Sequence, residues 1–131
     1  MGEGVVSCLF RAYITMLRKL ENDGFVVPRD AWLSMDEFVA NYGMSRKRMT
    51  LVFHRRDSPA DRVLVFWYGG RAMSAPTLRA YTKVMKREKI FCAIIVAKHV
   101  VSDDARVEMA RCTPGYFLSV ITEMDLRKQF G

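Results

Sequence analysis

The sequence predicts an α/β domain of three layers, with a mixed β-sheet between helices. Runs of β-branched and aromatic residues, typical of strands, alternate with helical patterns in the second half of the chain. The first two runs are separated only by a turn and predict an antiparallel hairpin, whereas later runs are separated by helices and predict parallel strands. With 131 residues, half of them hydrophobic, the chain is long enough for one domain with a core.

The first half of the chain predicts two helices. Apolar residues recur at helical spacing over residues 5–23, and Gly24 is suited to cap that helix at its carboxyl end. Ser34 followed by Glu37 forms a capping-box pattern, which predicts a short helix closed by Gly43.

A hairpin and a basic helix follow. The segments 47–55 and 62–68 are predicted strands, joined by a turn with Pro59 at its centre. Ser74 and Pro76 open a helix over residues 76–89, which we expect to be a right-handed crossover between parallel strands.

The last third of the chain repeats the strand and helix alternation. The apolar run 90–97 predicts a strand buried on both faces. Ser102 is the expected cap of a helix that ends near Pro114 and Gly115. A final strand is predicted over residues 116–122, and Thr122 is suited to cap a terminal turn or helix through Arg127.

Positive charge is concentrated in the middle of the chain. The net charge is +7, but residues 46–89 hold 12 of the 21 basic side chains and only three acids, so this segment carries +9 and the remainder −2. Such a concentration indicates a partner of negative potential, and nucleic acid is the usual one. A solvated basic face that only keeps the protein soluble is the alternative.

The basic helix has two distinct sides. Leu78, Tyr81 and Met85 recur on one side and are expected to face the sheet. Four cations lie within another arc of about 100°, and this set, the basic stripe, contains no acid for pairing along the helix: Arg79, Lys83, Lys86 and Arg87. The stripe predicts attraction of phosphates, with solubility again as the alternative.

Patterns for catalysis or metal binding are missing from the sequence. It contains no G-x-S-x-G, no phosphate-binding loop and no carboxylate in the runs "RVLVFWY" and "IFCAIIVA". We therefore expect no catalytic residue, no metal and no cofactor. The aromatic residues of the predicted strands are expected to pack in the core rather than stack on bases: Phe53, Phe66, Trp67 and Tyr68.

The three cysteines and two histidines show no metal-binding spacing. Cys8, Cys92 and Cys112 are widely separated, and we expect them to be reduced, packed thiols. His54 and His99 have no Cys or His neighbour that would complete a zinc site. The longest apolar run has eight residues, and the amino terminus has no signal-peptide or myristoylation pattern, so no membrane association is expected.

The order of segments resembles a known family. "LFRAYITMLRKLENDGFVV", "LSMDEFVANYG", "SRKRMTLVF", "VLVFW", "SAPTLRAYTKVMKREKIFCAIIVAKHVVSDDA" and "FLSVITEMDL" follow one another as in the N-terminal domain of the fifth-largest subunit shared by eukaryotic nuclear RNA polymerases. The resemblance covers nearly the whole chain, and it depends on the succession rather than on one motif.

The resemblance implies a fold similar to that of restriction endonucleases without their active site, and a role as a jaw domain beside downstream duplex DNA. Residues 1–131 would be a single jaw-type domain, and the family's C-terminal assembly domain would be absent. It further implies a nuclear location, the largest polymerase subunit and other subunits as partners, and general transcription factors as further partners. The enzymatic step would belong to the large subunits of the polymerase.

Two loops match those that the family turns towards DNA, residues 70–73 and 101–104. Both lack the family's usual proline; Arg71 lies in the first, whereas Asp103 and Asp104 make the second acidic. The candidate nucleic-acid contacts are therefore Arg46, Lys47, Arg48, Arg71, Arg79, Lys83, Lys86, Arg87 and Ser102. Two other functions stay open: a module that binds an acidic transcription factor, and a nucleic-acid adaptor with a degenerate nuclease fold.

Overall fold

The computed structural model describes residues 2–43, 45–71, 73–112 and 115–130. Within these residues the domain has five α-helices and five strands. The helices are α1 (Gly2–Asn22), α2 (Met35–Tyr42), α3 (Ala75–Glu88), α4 (Asp103–Cys112) and α5 (Glu123–Phe130). The strands are β1 (Phe25–Val26), β2 (Leu51–Arg55), β3 (Arg62–Tyr68), β4 (Cys92–Ala97) and β5 (Phe117–Thr122). Two 3₁₀ helices, Arg29–Ala31 and Arg46–Met49, lie between them.

The strands form one mixed sheet in the order β1-β2-β3-β4-β5. The pairs β1–β2 and β2–β3 are antiparallel, and Leu51 lies opposite Val65 in the hairpin. The pairs β3–β4 and β4–β5 are parallel, with Val65 opposite Ile94. The predicted hairpin of β2 and β3 is confirmed, and so is the parallel pairing of β3 and β4, the two strands that α3 connects.

Two hydrophobic clusters cover the two faces of the sheet. On one face, α1, α2 and α5 pack on side chains such as Val65 and Val96. On the other face, α3 and α4 pack on side chains such as Leu64 and Ile95. The three-layer α/β/α architecture is therefore confirmed, and the strand aromatics Phe53, Phe66 and Trp67 are buried as expected. The likeness to restriction endonucleases stays a prediction.

Local capping signals fix the helix boundaries. Ser34 and Glu37 form both hydrogen bonds of the capping box, and Gly43 follows α2 with a positive φ of 59°. The hydroxyls of Ser74, Ser102 and Thr122 each accept a hydrogen bond from a backbone N–H near the start of the helix that follows. These predicted caps are confirmed, and α5 extends to Phe130 rather than ending at Arg127.

Two strand boundaries differ from the prediction, and two short elements were not predicted. Residues 46–49 form a 3₁₀ helix instead of the start of β2, because buried Met49 anchors the segment while Lys47 and Arg48 extend into solvent. The strand β4 begins at Cys92, since Lys89 takes a left-handed conformation and the Ile90 N–H still bonds to Met85 O in α3. The two-residue strand β1 and the 3₁₀ helix Arg29–Ala31 were not predicted.

The expectation of packed thiols is wrong for Cys8 and Cys92, which are exposed and unbridged. Cys92 is the first residue of β4 and lies at the end of the sheet. Cys8 lies on the solvent side of α1. The side chain of Cys112 lies outside the described residues. Among the helices that the structure describes, none is long and apolar enough to span a bilayer.

Candidate nucleic-acid interface

The topology brings four separate segments to one end of the sheet. The parallel strands β3, β4 and β5 all finish at this end, which we call the carboxyl end. Antiparallel β2 begins there, so the 3₁₀ helix Arg46–Met49 lies at the same place, in contact with β3. The loop after β3, the loop after β4 and the first turn of α5 complete the group. The ends of parallel strands are a common location for binding sites in α/β sheets.

Exposed cations converge at the carboxyl end from three of these segments. Lys47 and Arg48 come from the 3₁₀ helix, Arg71 from the loop after β3, and Lys98 from the loop after β4. The Lys98 N–H donates to Tyr68 O at 2.9 Å, which ties the two loops together. Within the described ranges, none of these four side chains forms an ion pair with a carboxylate. We call them the carboxyl-end cations.

Sequence reasoning missed Lys98 as a candidate contact. Its position directly after a predicted buried strand was a usable signal, because the ends of neighbouring parallel strands must lie side by side.

Arg46 differs from the other cations of its segment. Its guanidinium Nη2 lies 3.1 Å from Glu123 Oε2, and Nε lies 3.3 Å from the same oxygen. The two side chains are only 15% and 10% exposed. A side chain held in this way positions the 3₁₀ helix against α5 and is not free to reach a phosphate. Lys47 and Arg48, both exposed, keep that freedom.

The basic stripe lies on the solvent side of α3, as predicted, with Leu78 and Met85 fully buried on the opposite side. Its cations are not equivalent. Arg79 Nη1 lies 3.3 Å from Glu108 Oε1 of α4, and Arg87 Nε lies 3.3 Å from Glu88 Oε1. The stripe itself supplies no acid, but the adjacent helix α4 does. Lys83 and Lys86 have no carboxylate partner among the described residues.

The two loops matched by resemblance are only partly open to solvent. Gly70 and Arg71 are exposed, Met73 is buried in the core, and Ala72 lies outside the described residues. In the second loop Val101 is buried, and the Ser102 hydroxyl accepts from the Ala105 N–H at 3.2 Å as the cap of α4. Arg71 is thus the exposed cation of the first loop, while the Ser102 hydroxyl is already used within the domain.

A groove of about 680 Å³ lies beside the carboxyl-end cations. The 3₁₀ helix, the end of β3 and the first half of α3 form its walls, with Lys47, Tyr68, Gly70, Thr77 and Tyr81 among the lining residues. The ring of Tyr81 stacks on Phe66 with centroids 4.2 Å apart. Burial, followed by the nearby Tyr68 phenol, raises the pKa of Tyr81 to about 12, so its hydroxyl stays a neutral hydrogen-bond donor near pH 7.

Gly70 permits the close packing of the groove wall. A Cβ on Gly70 would lie 2.4 Å from the Tyr68 hydroxyl oxygen and 2.6 Å from its Cζ atom. A Cβ on Gly69 would lie 2.9 Å from Arg46 Cδ, the movable part of a long side chain. The glycine pair therefore lets Tyr68 and Arg46 fold over the loop that carries Arg71.

The described side chains at the carboxyl end include cations suited to binding anions. The sequences of strands β3, β4 and β5 contain no Asp or Glu. In the described part of the chain, no group of three or more His, Cys, Asp or Glu side chains is arranged to hold a metal ion. What the carboxyl end presents is a set of unpaired cations on short, anchored segments.

Comparison with known proteins identifies related sequences. The family model described as "RNA polymerase Rpb5, N-terminal domain" matches residues 3–85, which include α1 to most of α3. Two curated relatives share the description "DNA-directed RNA polymerases I, II, and III subunit RPABC1". The protein from Caenorhabditis elegans is 25% identical over 126 residues and that from Caenorhabditis briggsae 24% identical over 126 residues. Each alignment covers 90% of this chain and 60% of the relative.

Proposed function

Because the chain belongs to the RNA polymerase Rpb5 N-terminal domain family, we propose that it is a non-catalytic part of a nuclear DNA-directed RNA polymerase. In this role its carboxyl end guides downstream duplex DNA, as the jaw of the complex, while the large subunits carry out the chemistry. The observation that carries the proposal is the convergence of Lys47, Arg48, Arg71 and Lys98 at one end of the sheet without acidic partners among the described residues.

The arrangement suits a duplex that moves past the protein. Cations that contact phosphates attract DNA without reading its sequence, and each contact is exchanged easily as the duplex advances. Short anchored segments hold these cations in fixed positions, which limits the conformational entropy lost on binding. Lys83 and Lys86 on α3 extend the positive surface away from the carboxyl end. Arg46 contributes by holding the 3₁₀ helix in place.

The remaining parts of the proposal concern the assembly. The relatives are named as subunits of polymerases I, II and III, and the chain spans about 60% of their length. We propose the largest polymerase subunit and other subunits as its partners, general transcription factors as further partners, and the nucleus as its location. The experiment for this part is recovery of a tagged copy of the chain from its own cells, with identification of co-purifying proteins by mass spectrometry. Recovery of the large subunits supports the proposal. The proposal is contradicted if the large subunits are missing both with this chain and with a fusion of the chain to the family's C-terminal assembly domain.

The DNA contact is tested by fluorescence anisotropy with a labelled duplex over a series of salt concentrations. We expect weak binding. The logarithm of the association constant should fall linearly with the logarithm of the salt concentration, and each phosphate contact should add about 0.9 to the steepness of this line. The triple variant Lys47→Glu, Arg71→Glu, Lys98→Glu should lose nearly all binding.

The matched control reverses three exposed cations on the helices of the other layer: Arg11→Glu, Arg18→Glu, Lys128→Glu. It changes the net charge by the same amount but leaves the carboxyl end intact, and it should weaken binding far less. Equal losses in the two variants would mean that DNA responds to net charge alone. Binding that does not change with salt would remove the phosphate argument altogether.

A further inference from the structure

A second cleft, of about 470 Å³, opens at the opposite end of the sheet, where β3 and β4 begin. We call it the amino-end cleft. Three cations line it, Arg55 from β2, Arg62 from β3 and Lys89 from the end of α3, together with one carboxylate, Asp61. Its position across the sheet from the carboxyl-end cations separates it from the proposed DNA contact.

Two of the three cations of the amino-end cleft, Arg55 and Arg62, are held in place without being neutralised. The Arg55 guanidinium lies 4.7 Å above the centre of the Phe25 ring, and its Nη1 donates to Asp23 O at 3.2 Å. Arg62 Nη2 donates to Glu88 O at 2.9 Å. In the described residues none of the three cations forms an ion pair with a carboxylate. Each guanidinium has five N–H donors, so most of them stay available for an incoming anion.

An aromatic patch adjoins the cleft. Phe91, which lines the cleft, is 54% exposed, and Tyr116, which directly precedes the edge strand β5, is partly exposed. The ring centroids of Phe91 and Tyr116 are 5.7 Å apart, and the Phe117 N–H donates to Phe91 O at 2.7 Å. Phenylalanine is usually buried, and adjacent exposed aromatics beside arginines are typical of protein–protein interfaces.

We propose that the amino-end cleft and its aromatic patch bind an acidic peptide segment of a partner protein. Carboxylates of the peptide enter the cleft and contact Arg55, Arg62 and Lys89, while a bulky apolar side chain of the same peptide packs on Phe91 and Tyr116. The volume of the cleft accommodates a few side chains. A duplex backbone is a poorer match, because the cations surround a cleft at the end of the sheet instead of forming an open row.

The test uses two synthetic peptides of equal length and equal charge, one alternating Glu with Phe and Leu and the other alternating Glu with Ser. Anisotropy titration of the chain should give at least about tenfold tighter binding of the apolar-containing peptide. The double variant Arg62→Glu, Lys89→Glu should weaken that binding by at least about tenfold. The control Arg11→Glu, Arg18→Glu has the same change in net charge and should weaken it by less than about threefold.

A variant that cannot disturb the core keeps the proposal testable if Arg62→Glu affects folding. Phe91→Ser changes a side chain that is 54% exposed and lies outside the core, and it should weaken binding of the apolar-containing peptide by about fivefold without affecting binding of the Ser-containing one. Equal losses in the cleft variant and its control, or equal affinity for the two peptides, would overturn the proposal. The proposal would also be overturned if the chain bound duplex DNA more tightly than either peptide and Arg62→Glu, Lys89→Glu abolished that binding. This result would assign the cleft to nucleic acid.

Discussion

Arg46 and Glu123, which are 77 residues apart in the sequence, form an ion pair that joins two segments at the carboxyl end of the sheet. Arg46 lies in the 3₁₀ helix before β2, and Glu123 is the first residue of α5 after β5. These two segments lie on either side of the ends of β3 and β4 in the sheet order. The pair therefore closes one side of the region that carries the carboxyl-end cations.

The first prediction concerns the stability that this pair provides. Glu123→Gln preserves the shape of the side chain but leaves the mostly buried Arg46 guanidinium without a counter-charge. We expect a loss of about 2–3 kcal/mol in the free energy of unfolding, since an uncompensated buried charge is strongly unfavourable. Urea unfolding followed by circular dichroism measures it.

The matched control is the exposed pair of Arg87 and Glu88, whose side chains are 71% and 47% exposed. Glu88→Gln should change the free energy of unfolding by no more than about 0.5 kcal/mol. A loss in Glu123→Gln as small as in this control would show that solvent already screens the Arg46 pair.

The second prediction concerns acid stability at the capping box of α2. The hydrogen bond from the Ser34 backbone N–H, followed by that with the Ser34 side chain, lowers the pKa of Glu37 below its ordinary value of 4.5. The unfolded chain therefore binds the proton more readily than the folded chain. The stabilisation by ionised Glu37 is present above pH 4.5 and is lost as the pH falls through the lowered pKa. Glu37→Gln should lower the stability near pH 7 but flatten its decline in acid.

The prediction is tested by measuring the urea midpoints of the wild type and Glu37→Gln in parallel, from pH 7 to below pH 4.5. The difference between the two proteins should shrink steadily as the pH falls below 4.5. A constant difference would mean that the carboxylate charge of Glu37 contributes nothing to the cap.

The third prediction concerns the loop that carries Arg71. Gly70→Ala would place a Cβ 2.4 Å from the Tyr68 hydroxyl oxygen, so the ring or the loop must move. We expect a loss of about 1–3 kcal/mol in the free energy of unfolding from overpacking. In the background of Tyr68→Ala the same change should cost almost nothing, because the ring is gone. A similar cost in both backgrounds would place the strain in the backbone of the loop rather than in the contact with Tyr68.

Much of the fold follows from local sequence signals. The serines and the threonine that precede helices α2 to α5 act within one turn, so their caps could be predicted from neighbouring residues. The hairpin and the crossover follow from the spacing of apolar runs. The 3₁₀ helix Arg46–Met49 could not be predicted in this way, because the contacts of its side chains, the burial of Met49 and the ion pair of Arg46 with Glu123, come from residues that are distant in the sequence.

The sequence predicted most of the cations that belong to the candidate site, but not which of them form ion pairs with carboxylates. The excess of positive charge at residues 46–89 identified most of the exposed cations. Which of them are neutralised depends on residues that only the tertiary structure brings near: Glu123 for Arg46 and Glu108 for Arg79. For the same reason, the packing of Met73 and Val101 in the core was not visible from the loops that contain them.

The last prediction uses the pairing of Arg79 to test whether the basic stripe contacts DNA. Glu108 Oε1 lies 3.3 Å from Arg79 Nη1, and Glu108 Oε2 lies 3.9 Å from Arg111 Nη1. Glu108→Gln removes this carboxylate and frees Arg79 to interact with phosphate. We expect about twofold to threefold tighter binding of duplex DNA and a steeper salt dependence, since Arg79, and Arg111 with it, lose their carboxylate partner.

Asp36→Asn is the matched control, because it removes one exposed carboxylate on α2, in the other helical layer. Anisotropy titrations at one low salt concentration should give a clearly smaller gain for Asp36→Asn than for Glu108→Gln, and thermal melts establish that both variants are folded. Equal gains would mean that net charge accounts for the effect and that Arg79 makes no contact of its own. If neither variant bound DNA more tightly, the DNA contact would be confined to the carboxyl end. Arg79 on the outer side of α3 would then contact no phosphate even without its carboxylate partner.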